Sequence, residues 1–411
     1  MNNKHMKSTL RLIIMFVTLA TASNVCAQKW KYDFIVPDKG NFRQAINAAN
    51  TRADKSKRFR IFVRSSNYRL LGDGNIVTIL TAPNTSIIGE QAQNTQVESC
   101  PREEGIDKTS TLFLNGADST YLQDLELWCN YRNDANAYAN HAVTLNEKHC
   151  KGNILKNMSL LGTQNTYYTN DGGTTYVEDC KIAGTVDFIC GGGTVYFNHC
   201  DLKFVARGDS SKHNIICAPS TEAGSTYGYI FSDCYIDGPK HQNGKYYLGR
   251  PWNNAPRATF LNCCMNIAPT EEGWANGTTP ARFAEFECTN GLFELLNTDK
   301  RRTTLSSPVL SADEAEKYTI ANVFPNWNPQ AKTQQVPPPV LRISGNEISW
   351  EDNPDAGCYA VLRDRIIVAF VTEPHYTVPT GTHEGSCFSV RCANQMGGLG
   401  LRSAEVVYSK H

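Results

Sequence analysis

The sequence predicts an all-β chain: a solenoid of short stacked strands followed by a small β-sandwich. Two observations carry the first part. Segments of one pattern recur, an apolar residue, then a polar one, then a cysteine, in Tyr176-Val177-Glu178-Asp179-Cys180, Tyr196-Phe197-Asn198-His199-Cys200, Ile230-Phe231-Ser232-Asp233-Cys234 and Phe260-Leu261-Asn262-Cys263. Leu122-Gln123-Asp124-Leu125 and Leu155-Lys156-Asn157-Met158 fit the same frame, so the slot runs Leu125, Met158, Cys180, Cys200, Cys234, Cys263 at spacings of 33, 22, 20, 34 and 29. Loose repeats of roughly this length, built from short strands, stack as coils because one coil cannot bury its inner face alone. A third observation carries the second part: after a proline-rich stretch, short β-type runs separated by turn residues suit a small sandwich.

In chain order, Lys4, Lys7 and Arg11 precede an apolar run, Leu12 to Ala22, and Val25-Cys26-Ala27 reads as a cleavage site leaving Gln28 first. This predicts a signal peptide over 1–27 and an exported protein, periplasmic, cell-surface or secreted; the run is too short for a membrane-spanning helix. Phe42, Ala45, Ile46 and Ala49 have helical spacing. They predict a helix covering the open end of the solenoid, where strand edges need protection. Ile61-Phe62-Val63 and Ser86-Ile87-Ile88-Gly89 read as early strands, and coils continue to about Phe293 within a unit spanning 28–326. Residues 327–340, with Pro337-Pro338-Pro339, read as a semi-rigid linker. In 341–411, Glu347 to Trp350, Tyr359 to Arg363, Ile366 to Val371 and Phe388 to Arg391 are the expected sandwich strands, and Ala393 to Gly400 resembles the last hairpin of a fibronectin type III-like module.

Fifteen cysteines in an exported chain invite a disulfide reading. Their repeat positions instead predict buried thiols acting as small apolar residues, with pairing left open among Cys358, Cys387 and Cys392. Lys+Arg and Asp+Glu both number 40, and that balance argues against a nucleic-acid-binding surface. His199, His213 and His241 lack metal-ligand spacing. Gly191-Gly192-Gly193 is not followed by Lys-Ser/Thr and reads as a tight solenoid turn.

The chemistry lies mid-solenoid. Gly184-Thr185-Val186-Asp187-Phe188-Ile189-Cys190-Gly191 sets a carboxylate in an apolar strand, which is costly unless it is paired or functional. Tyr247-Leu248-Gly249-Arg250-Pro251-Trp252 places a guanidinium and an indole two residues apart, on one side of an extended chain. Taken alone, these residues fit equally a buried ion pair tying coils together and a catalytic site.

The same segments resemble the pectin methylesterase (pectinesterase) family. Residues 184–191 look like GTVDFIFG with Cys190 in place of Phe, and Leu248 to Trp252 matches LGRPW. Gly162-Thr163-Gln164-Asn165-Thr166-Tyr167 resembles the QDTL region, His141-Ala142-Val143-Thr144-Leu145 resembles QAVAL, and Asn67-Tyr68-Arg69-Leu70 faintly resembles GxYxE. The likeness runs in family order from about Phe34 to Phe293. It implies a right-handed parallel β-helix of the pectin lyase-like kind. It also implies hydrolysis of methyl esters on galacturonate units of pectin, with release of methanol and with no metal or organic cofactor.

By that resemblance Asp187 is the nucleophile, and Arg250 orients it and favours its ionised form. Trp252 offers a flat face to a sugar ring, with Tyr167 and Phe188 as further substrate contacts. Gln164 donates to the developing oxyanion. Two positions depart from the family. Asn165 stands where the general acid aspartate belongs, and an amide has no titratable proton to give. His141 replaces a glutamine. Because imidazole titrates near neutrality, His141 is expected to supply the proton that Asn165 cannot, with Asp171 as a second candidate. The alternative is a catalytically impaired pectin-binding protein that keeps the groove. A lyase on a similar fold would need clustered carboxylates to hold Ca²⁺, and the sequence offers none. The expected partner is pectic polysaccharide, bound by a monomer with no membrane span and no nucleic acid.

Overall fold

From the strand Tyr121–Gln123 onward, each coil turns from its first strand into its second through one residue in the left-handed region. Asp124, Asn157, Asp179, His199, Asp233, Asn262 and Glu287 all have φ between 47° and 57°. Aspartate and asparagine tolerate this conformation better than most side chains, which explains the polar residue repeated ahead of each cysteine slot. The next residue turns inward, and Leu125, Met158, Cys180, Cys200, Cys234 and Cys263 are all buried in one core, joined by Cys288. In this computed structural model, residues 28–70, 77–131, 140–170, 172–206, 213–301 and 308–410 are described. The expected signal peptide and Asp171 lie outside them.

The coils build three parallel sheets around one bore. A ten-stranded sheet runs from Phe34–Val36 to Arg282–Phe286, a nine-stranded sheet from Ser66–Arg69 to Thr289–Asn290, and a seven-stranded sheet from Thr78–Leu80 to Tyr246–Gly249. Successive strands of each sheet come from successive coils, so equivalent positions stack. Phe197, Phe231 and Phe260 form an internal ladder with ring centroids 4.7 and 4.3 Å apart. The thiols stack alongside: Cys234 donates to Phe197 O at 3.6 Å and Cys263 to Phe231 O at 3.4 Å. All fourteen described cysteines are free. Burial pushes the Cys217 and Cys263 thiols well above their ordinary range, which leaves them unreactive.

The expected capping helix is present at Phe42–Thr51. The Asn41 side chain accepts from Gln44 N at 2.9 Å and Gln44 Oε1 accepts from Asn41 N at 2.8 Å, a closed capping box. Phe42, Ala45, Ile46 and Ala49 plug the bore. At the other end, the pair Glu285–Arg301 closes it, with both side chains buried and Nε 2.7 Å from Oε1.

Inside the bore, Glu147 of the seven-stranded sheet accepts from Thr175 Oγ1 of the ten-stranded sheet at 2.6 Å. Burial raises its carboxyl from the ordinary 4.5 to about 7. The folded chain therefore holds this proton more tightly than the unfolded chain. Stability is fully present below 4.5 and is lost as pH rises through about 7, by about 3 kcal/mol in all. Glu147→Gln is expected to unfold with the wild type at pH 4 and at a higher urea midpoint than the wild type at pH 8. Parallel pH profiles for the two proteins would refute the assignment.

Beyond the coils, a three-stranded and a larger antiparallel sheet form the small C-terminal unit. Its core takes Ile348 and Trp350 from one sheet and Tyr359, Val361, Phe388 and Val390 from the other. The chain at 327–340 is not a free linker. Gln330–Thr333 forms a helical turn, Val336 is buried in the C-terminal core, and Asn394 Nδ2 donates to Lys332 O and Gln334 O. The unit is docked on the outer face of the ten-stranded sheet, where Tyr32, Phe62 and Ile88 pack with Cys358, Ala360 and Met396. The approach is close: a Cβ on Gly398 would lie 2.0 Å from Gln123 Oε1. Cys358 faces this interface and Cys392 the C-terminal core. Neighbouring strands thus point the two thiols to opposite faces, and they remain unpaired.

Candidate active site

The seven-stranded sheet carries the site at the corner where the chain enters it. Asp187 sits at this corner with φ 49° and is 1% exposed. A left-handed aspartate at the head of a strand re-aims the carboxylate, and its strand is irregular there, with a register shift between Val186 and Ile189. Arg250, just past the Tyr246–Gly249 strand, meets it in a fork: Nε donates to Oδ1 at 2.8 Å and Nη2 to Oδ2 at 2.5 Å. The two planar groups fix each other, and these bonds raise the guanidinium above its ordinary value. Trp252 is 46% exposed. The Arg250 guanidinium lies over its indole, 4.4 Å from the centroid. One ring face is thereby occupied by the cation.

Asn165 stands beside Asp187. Thr185 N donates to Thr163 O at 2.9 Å, and Tyr167 pairs with Ile189. Between these two fixed points the register sets Asn165, just ahead of the strand Tyr167–Asn170, level with Asp187 of the next coil. Asn165 is also left-handed, φ 59°, and 3% exposed. Its Nδ2 lies 2.8 Å from Nδ1 of His141. His141 and Gln164 form an isolated parallel bridge, and His141 N donates to Glu104 Oε1 at 3.1 Å. Six of the eight expected residues thus gather in two touching groups: Asp187, Arg250 and Trp252, and Asn165, His141 and Gln164.

Tyr167 and Phe188 do not join them. Both are 0% exposed and lie in the solenoid core, so neither touches a substrate. For Phe188 plain alternation was no guide, since Phe188 and its neighbour Ile189 both enter the core behind the left-handed Asp187. Nor was it for Tyr167, because the left-handed Asn165 resets the alternation two residues earlier. The outward residues are the neighbours Tyr168 and Cys190, paired across the two strands. Burial and the charge of Asp187 push the Cys190 thiol far up. Beyond the strand, Glu222 accepts from Gly172 N at 2.6 Å and Gly193 N at 3.0 Å. This ties the triple-glycine turn, where a Cβ on Gly191 would lie 1.6 Å from Thr169 O. Among the described residues, no group of three or more His, Cys, Asp or Glu could hold a metal ion.

The geometry offers a fixed, paired carboxylate, a half-exposed indole and a cluster of hydrogen-bond donors on one sheet face. Residues 35–324 match the family model described as Pectinesterase. A probable pectinesterase/pectinesterase inhibitor from Arabidopsis thaliana is 28% identical over 229 residues, 52% of this chain and 35% of that protein. The chain thus spans about a third of the length of that curated relative. The structure of pectin methylesterase PemA from Erwinia chrysanthemi superposes with a TM-score of 0.60 at 21% identity, over 73% of this chain and 99% of that one. A pectin methylesterase in complex with a hexasaccharide superposes with a TM-score of 0.60 at 23% identity, over 73% and 99%.

Proposed function

The chain belongs to the pectinesterase family, and on that premise we propose that it hydrolyses methyl esters on galacturonate units of pectin, with Asp187 as nucleophile. One observation carries this reading: the buried carboxylate of Asp187 is gripped through both oxygens by Arg250 at the mouth of a strand, beside donor groups. A carboxylate so held is oriented and shielded from water. It attacks the ester carbonyl, the donor on Gln164 meets the developing oxyanion, and water then cleaves the resulting anhydride. Trp252 and the outward Tyr168 are the aromatic surfaces for sugar rings. The solved relative bound to a hexasaccharide supports a pectic polysaccharide as the partner. Export belongs to the same proposal, because pectin lies outside the cell; no described helix is long and apolar enough to cross a membrane.

Purified protein is expected to release methanol from highly methylated pectin, and Asp187→Ala to release none. Asn165, an untitratable amide beside the nucleophile, favours a second reading, a pectin-binding protein without turnover. Wild-type protein that binds pectin and releases no methanol would establish that second reading and overturn the first.

A further inference from the structure

We propose that His141 is the proton donor of this site, acting through Nε2, and that Asn165 is the residue that positions it; this rests on the esterase reading above. When a carboxylate displaces an alkoxide from an ester, the leaving oxygen needs a proton. Asn165, the residue in register with Asp187, has none to give. It touches a side chain that does. The Asn165 Nδ2 to His141 Nδ1 contact is 2.8 Å. An amide nitrogen only donates, so Nδ1 accepts and the neutral ring carries its proton on Nε2. The ring's base is fixed independently by the His141–Gln164 bridge and by the bond from His141 N to Glu104 Oε1. With Nδ1 turned to Asn165, Nε2 is the nitrogen left for substrate.

A second observation extends this. Asn165 Oδ1 is buried and has no hydrogen-bond partner. A half-turn of the amide brings Oδ1 to Nδ1, where it accepts the Nδ1–H of an imidazolium ring. One amide therefore serves both states of the ring: Nδ2 donates to the neutral form, and Oδ1 accepts from the charged form. An ionised aspartate in its place would serve only a ring protonated at Nδ1.

The proton balance follows. Asp187 forms a C–O bond to the ester carbonyl carbon. As the C–OCH₃ bond breaks, the methoxide oxygen takes the Nε2 proton of the imidazolium, giving methanol, a neutral ring with Nδ1–H, and an anhydride. Water then attacks the anhydride carbonyl and gives one proton to Nε2. The bond to Asp187 breaks, and both the carboxylate and the imidazolium return. The product carboxylic acid loses its proton to solvent. The charged group in contact with His141 is Glu104 on the preceding loop, which accepts from His141 N. Activity is expected to fall on the alkaline side as the ring loses its second proton.

The test is methanol release from methylated pectin across pH for wild type, His141→Gln, Asn165→Asp and the double variant, each checked for an unchanged unfolding midpoint. His141→Gln is expected to lose about 10²–10⁴ in kcat with KM little changed, and to lose the alkaline limb. Asn165→Asp is expected to move that limb to higher pH, because a carboxylate favours the charged ring. The double variant is expected to recover activity with a different limb, since its acid is then a carboxyl. Wild-type kcat and pH profile in His141→Gln would overturn the inference while leaving the esterase reading intact. A wild type that releases no methanol would overturn the esterase reading itself.

Discussion

Arg250→Met is expected to lower methanol release by about 10- to 1,000-fold, because a nucleophile that loses its aim at the carbonyl loses rate steeply. The Asp187 side chain is 2% exposed and both its oxygens are bound by Arg250. Without the guanidinium the carboxylate loses both of these hydrogen bonds, and with them its fixed orientation. Arg250→Lys keeps the charge and gives up the fork, so it is expected to fall between wild type and Arg250→Met. Wild-type methanol release in Arg250→Met would show that the fork is not what holds Asp187 ready for attack.

The largest stability effect is expected at the far end of the bore. Glu285 and Arg301 are buried, linked at 2.7 and 3.0 Å, and Arg301 also donates to the carbonyls of Thr270 and Glu271 at 3.2 and 3.1 Å. Arg301→Met leaves a carboxylate in the core without its partner and is expected to cost about 3–5 kcal/mol in urea unfolding. Replacing both, Glu285→Leu with Arg301→Met, is expected to restore most of that loss, because a buried pair repays little beyond its own desolvation. A double variant as unstable as the single one would show that the carbonyl contacts of Arg301, and not its charge, hold the end of the solenoid closed.

The C-terminal unit shows where composition misleads. Proline and polar residues at 327–340 have the composition of a spacer, yet Val336 is a core residue and Asn394 ties the segment down through two carbonyls. A linker and an ordered strap have the same local propensities. Only the presence of a receiving surface, here the outer face of the ten-stranded sheet, distinguishes them. The sheet-facing residues Tyr32, Phe62, Tyr121, Ile154, Tyr176 and Tyr196 that form this surface read in sequence as ordinary strand residues.

The sequence by itself determined the coil: its length, the inward slot from Leu125 to Cys263, the helix that plugs the first end, and the residues Asp187, Arg250 and Trp252 that form one cluster. These are local or repeated signals, and stacking amplifies them. The tertiary structure decided what depends on direction. Left-handed residues at Asn165 and Asp187 interrupt the alternation by which a strand assigns its side chains to faces. Tyr167 and Phe188 therefore turn inward and Tyr168 outward. The register of the preceding coil, through the His141–Gln164 bridge, sets His141 against Asn165. A contact of that kind depends on how coils stack, and no neighbour in the chain encodes it.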